Sequence, residues 1–99
     1  MHNNNTTTVV VNCKYEKPDV YIGRYHPKYG SSKWRNRFKE GEDGTREEVI
    51  EKYRKWLLSN TELLKQLPEL YGKKLGCWCK PLACHGDVLV EELAKGEKK

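Results

Sequence analysis

The sequence predicts an α/β domain: one short, mixed, mostly three-stranded sheet layered with about three helices, a Rossmann-like fragment. Three observations predict it. Short β-branched or alternating runs occur at residues 9–13, 20–24 and 74–79. Segments with the 3.6-residue apolar period of helices follow the second and the third of them. A length of 99 residues suffices for a single core.

Taken in order, residues 1–8 are a polar arm rich in Asn and Thr, residues 9–95 form the domain, and 96–99 are a solvated tail. Val9, Val10 and Val11 open the first strand, and the Lys17-Pro18-Asp19 break precedes the second. So short a link allows a hairpin between these two strands. Thr45 and Glu48 have the spacing of a capping box. The helix it opens carries Val49, Ile50, Tyr53, Trp56 and Leu57 on one face. Asn60 or Thr61 starts a shorter helix bearing Leu63, Leu64 and Leu67, which Pro68 interrupts and Gly72 ends. In the third strand, alternation places Leu75, Cys77 and Cys79 on one face and Gly76 and Trp78 on the other. After a turn at Pro81, a last helix over about 87–94 buries Val88, Leu89, Val90 and Leu93, with Gly96 as its stop.

Charged residues make up 33% of the chain and apolar ones 36%, the balance of a soluble globular protein rather than a disordered one. No apolar run approaches membrane-spanning length, and residues 1–10 hold neither a basic leader region nor a cleavage pattern. The expectation is a cytoplasmic protein, in the host cytoplasm if viral, with no membrane partner. There, four cysteines read as reduced thiols or metal ligands, and a Cys-x-Cys pair closes on itself only with strain.

The net charge of +5 is concentrated. Arg24, Lys28, Lys33, Arg35, Arg37 and Lys39 follow one another with no acidic residue between them, interleaved with Tyr25, His26, Tyr29, Trp34 and Phe38. Cations neutralise phosphate and rings stack on bases, so this pattern suits an anionic small molecule or a nucleic acid. A solvated loop whose rings cap the core is the plain alternative.

Residues 77–87, Cys-Trp-Cys-Lys-Pro-Leu-Ala-Cys-His-Gly-Asp, place three cysteines and a histidine between a strand and a helix. Two chemistries fit. Cys77, Cys79, Cys84 and His85 could surround one tetrahedral zinc, although structural sites more often use Cys-x-x-Cys knuckles. Alternatively, the helix start at His85, Gly86 and Asp87 draws an anion to its free amides, and Gly86 allows close approach. A thiol there would have a depressed pKa, making Cys84 and His85 the reactive pair. If the second and third strands are parallel, this turn and the loop after Arg24 share the carboxyl edge of the sheet, where α/β folds bind ligands. Arg24, Lys33, Arg35 and Asn36 would then hold the ligand and Trp34 would stack on it.

Several blocks carry a resemblance. Residues 21–24 (Tyr-Ile-Gly-Arg), Ser32-Lys33-Trp34 with Asn36 and Phe38, residues 43–48, residues 75–81 and residues 84–89 together resemble the domain-of-unknown-function family 4326. The likeness runs from Val9 to Leu93 and is most specific in the Cys-Trp-Cys to Cys-His-Gly block. It implies kinship with small bacterial, archaeal and viral proteins, and a shared site made of the two loops, without naming an activity. Members commonly follow the loop Trp with Gly-Asn-Pro, whereas Arg35-Asn36-Arg37 stands here. The expected function is binding of a nucleotide-like or other phosphorylated ligand, with catalysis left open. A zinc-stabilised nucleic-acid binder without catalysis, and an interaction module with a vestigial site, are the alternatives.

Overall fold

Three strands form the sheet, β1 (Val9–Asn12), β2 (Val20–Tyr21) and β3 (Lys74–Cys77), in the order β1-β3-β2. The structure is a computed structural model describing residues 7–80 and 82–97. Most of the expected arm (1–6), the Pro81 turn and the end of the expected tail (98–99) lie outside the described residues. Thr8, grouped with the arm by composition, is buried. Its hydroxyl accepts the Gly72 amide at 2.8 Å and donates to the Leu70 carbonyl at 3.4 Å.

The α/β architecture is as expected, but the strand pairing is not mixed. Both pairs are parallel, with Val10 and Val20 each opposite Leu75, and Val11 and Tyr21 each opposite Gly76. The hairpin suggested by the short link between β1 and β2 does not form, because β3 lies between them. The link instead runs back across the face of β3, from the level of Cys77, whose carbonyl accepts the Cys13 amide, to that of Lys74, whose carbonyl accepts the Asp19 amide (both 2.8 Å). Gly76 makes this path available. A Cβ there would lie 2.4 Å from Pro18 Cβ and 2.6 Å from Cys13 Sγ, closer than atoms can approach. The sheet thus has a helix-covered face bearing Leu75 and Cys77, and an opposite face bearing Gly76 under the link.

Helix α1 (Arg46–Ser59) begins with the expected capping box: the Thr45 hydroxyl accepts the Glu48 amide at 3.2 Å and the Glu48 carboxylate accepts the Thr45 amide at 2.8 Å. These bonds hold the Glu48 carboxyl below its ordinary pKa. The helix buries Val49, Tyr53 and Leu57. Helix α2 (Thr61–Gln66) passes into a 3₁₀ turn, Leu67–Leu70, because Pro68 falls in its first residues, where a missing N–H costs little. Helix α3 (His85–Glu97) begins two residues before the expected start and continues through Gly96, which ended the helix in the sequence reading. Val88, Leu89 and Leu93 bring it into the core with Ile22, Leu57 and Leu75. Its close seat on the sheet depends on Gly86, where a Cβ would lie 2.9 Å from both Ile22 Cδ1 and Val10 Cγ2. Among the described residues, no helix is long and apolar enough to cross a membrane.

Candidate functional site

Parallel pairing brings the carboxyl ends of β2 and β3 to one edge, and a cleft of about 570 Å³ opens there. Its walls include Arg24, Tyr25, His26 and Asn36 from the basic loop, and Cys77, Trp78, Cys79, Cys84 and His85 from the cysteine turn. Two distant chain segments therefore meet at one rim.

Three sulfurs converge on the cleft floor. The Sγ atoms of Cys77, Cys79 and Cys84 lie within 4.8 Å of one another, with Cys77 and Cys84 at 3.2 Å. β3 ends at Cys77 rather than at Cys79 as expected, so strand geometry places Cys77 on the helix side, Cys79 follows in the turn, and the turn returns Cys84 as the residue preceding α3. Cys84 caps that helix. Its sulfur accepts the Gly86 amide at 3.3 Å, and the Asp87 carboxylate accepts the Cys84 amide at 3.1 Å, so the thiol and the carboxylate each satisfy one free amide of the helix start. All four cysteines are free, and Cys13 lies apart, against the opposite face of β3 at Gly76.

The charge distribution differs from the sequence expectation. Cys79, half-buried, has its thiol pKa pulled well down by hydrogen bonds from Cys77 and Cys84 and by the Arg46 guanidinium. Cys84, for which helix-start chemistry predicted a depressed pKa, is pushed up by its bonds to Cys77 and Cys79 and by burial. Its bond to Cys79 also raises Cys77. A charge on one sulfur keeps the protons on its two neighbours, and the Arg46 guanidinium favours a charge beside Cys79.

His85 does not join the sulfurs. Its Nε2 lies 2.7 Å from the Ile22 carbonyl, which accepts the ring proton, and the ring stands edge-on to Tyr53. Burial lowers its pKa, favouring the neutral ring. No hydrogen bond joins this ring to Cys84 among the described residues. The four-ligand set drawn from sequence thus reduces to three cysteines, since the Ile22 bond turns the imidazole away.

The basic loop is largely held by its own structure. Arg24 donates to the Asn36 and Phe38 carbonyls, both at 3.0 Å, clamping the loop shut. Asn36 is buried, with its amide on the Val49 carbonyl at 3.3 Å. Arg35 donates to the Ser32 carbonyl at 2.9 Å, and Lys33 reaches Glu69 at 3.0 Å and Gln66. Neither Lys33 nor Arg35 lines the cleft. Trp34, expected to stack on a ligand, is only 1% exposed and packs in the core, its carbonyl accepting the Tyr53 hydroxyl at 2.7 Å. The Ser32 hydroxyl accepts the Trp34 amide, and the resulting turn sends the ring inward while its cationic neighbours stay out. Gly86 and Asp87 likewise serve the helix start: the one packs on the sheet, and the other caps Cys84 while facing Lys80 at 3.7 Å.

Three features escaped the sequence reading. Arg46, in the first turn of α1, donates to the Ala83 carbonyl at 2.9 Å and pairs with Glu40 at 3.2 Å beside Cys79. A cation at a helix start opposes the dipole, and that misplacement was the available signal. Asn12 ends an apolar strand and donates to the Trp78 and Lys80 carbonyls at 3.3 and 2.8 Å, fixing the cysteine turn and ending β3. The third is a nest of rings: Tyr21 stacks on Tyr29 at 4.8 Å, and His26 lies 4.9 Å from Trp78, which is 42% exposed.

The profile of the family described as Domain of unknown function (DUF4326) matches residues 9–95. "Uncharacterized protein R718" of Acanthamoeba polyphaga mimivirus is 38% identical over 99 residues, covering 88% of this chain and 72% of that protein. "Uncharacterized 12.4 kDa protein in nrdA-td intergenic region" of Enterobacteria phage T4 is 43% identical over 50 residues. That match spans 46% of either chain, about half the length of the phage protein. No solved structure matches. With a match across nearly the whole domain, the chain belongs to the DUF4326 family.

Proposed function

We propose that this domain binds a small ligand combining a planar ring with an anionic group, a nucleotide or a similar phosphorylated molecule, in the cleft at the carboxyl edge of β2 and β3. One observation carries the reading: the cleft has a ring wall, His26 against Trp78, and a guanidinium wall, Arg24 and Arg46, and its volume of about 570 Å³ is of the size small molecules occupy. The exposed indole of Trp78 offers a stacking surface, and Arg46 retains N–H donors beyond those engaged by Ala83 and Glu40. Free thiols suit a reducing compartment, the cytoplasm or that of a host cell.

Titration calorimetry of the full chain with nucleosides and with their mono- and diphosphates tests this. The phosphorylated forms are expected to bind. Trp78→Ala should weaken them about 5- to 150-fold, the range expected for one base–aromatic stack. Arg46→Gln should weaken the phosphates and leave nucleosides unaffected. No binding by any of the panel, together with salt-sensitive binding of random oligonucleotides, would reject the small-ligand reading in favour of a nucleic-acid surface.

A further inference from the structure

We infer that Cys77, Cys79 and Cys84 are the three protein ligands of a tetrahedral divalent ion of the zinc class, with a fourth position open to the cleft. Zinc–sulfur bonds of about 2.3 Å in tetrahedral geometry require sulfurs about 3.8 Å apart. The three Sγ atoms, one pair at 3.2 Å and all within 4.8 Å of one another, are close enough to share one ion. The sulfurs come from the end of β3, the residue two positions beyond Cys77, and the cap of α3. The Leu82 amide on the Cys79 carbonyl at 2.8 Å and the two Asn12 bonds to Trp78 and Lys80 hold the backbone around Cys79.

The surroundings suit bound thiolates. The Gly86 amide points at Cys84 Sγ at 3.3 Å, and hydrogen bonds of this kind orient ligands in metal centres. Three thiolates and a divalent ion carry one net negative charge, which the Arg46 guanidinium beside Cys79 and the amino end of α3 offset. No fourth protein donor completes the set among the described residues: His85 is bound to Ile22, and Cys13 lies on the other face of β3. All three cysteines line the cleft, so the remaining donor is water or a ligand group. This inference is independent of the nucleotide reading, because an ion can bind with the cleft otherwise empty.

The full chain, kept reduced without oxygen, should retain one equivalent of Zn²⁺ through gel filtration and take up Co²⁺ with the visible spectrum of a tetrahedral thiolate site. X-ray absorption should count three sulfurs and one lighter donor lacking an imidazole signature. Cys79→Ser, at the half-buried position and checked for folding by circular dichroism, should lose the ion to a competing chelator, while Cys13→Ser retains it. A wild-type chain that retains no ion would overturn the inference. So would an imidazole or a fourth sulfur in the absorption spectrum, equal loss in Cys13→Ser, or uptake of Cu⁺ alone. Failure of nucleotides to bind would bear only on the ligand reading.

Discussion

The basic loop and the cysteine turn form one rim, yet they organise their polar atoms in opposite ways. In the loop, the charged groups disperse: Arg24 and Arg35 turn back onto loop carbonyls, Lys33 leaves for Glu69, and Trp34 enters the core. In the turn, three reactive atoms from eight residues gather at one point. A dense run of cations in sequence reports how a loop lacking regular structure satisfies its own backbone carbonyls, whereas closely spaced ligating residues across a strand-to-helix turn report convergence. Chemistry is concentrated where rigid elements aim it.

That contrast can be broken most sharply at Trp34. As a core residue, Trp34→Ala should cost about 3–5 kcal/mol in urea unfolding. A loss near zero, accompanied by weaker ligand binding, would return it to the cleft. Arg24→Gln removes a guanidinium that closes the loop on two carbonyls and should cost about 1–3 kcal/mol. Proteolysis should then become faster within residues 25–38; an unchanged cleavage rate would deny Arg24 its clamping role. Lys33→Ala, which breaks an exposed ion pair, should change stability by less than about 0.5 kcal/mol and leave nucleotide affinity intact. A several-fold loss of affinity would place Lys33 at the ligand after all.

The same contrast explains what could be read in advance. The α1 capping box, its buried Val49, Tyr53 and Leu57, and the shared face of Leu75 and Cys77 are matters of local spacing, and all appear as read. The meeting of the two segments followed from parallel pairing of β2 and β3. The place of β3 between β1 and β2 could not be read, because pairing partners such as Val9 and Lys74 are chosen by packing between distant parts of the chain. Arg46 and Asn12 were missed for a related reason: each acts on a carbonyl more than thirty residues away.

From the sequence alone came the α/β class, the helix that Thr45 caps, and the concentration of ligating residues in 77–87. Those depend on period, capping and spacing, which act over a few residues. Tertiary structure alone decided that Trp34 is core, that His85 turns to Ile22, and that three sulfurs gather beside Arg46. Burial and charge are properties of neighbours in space, and those neighbours come from distant parts of the chain.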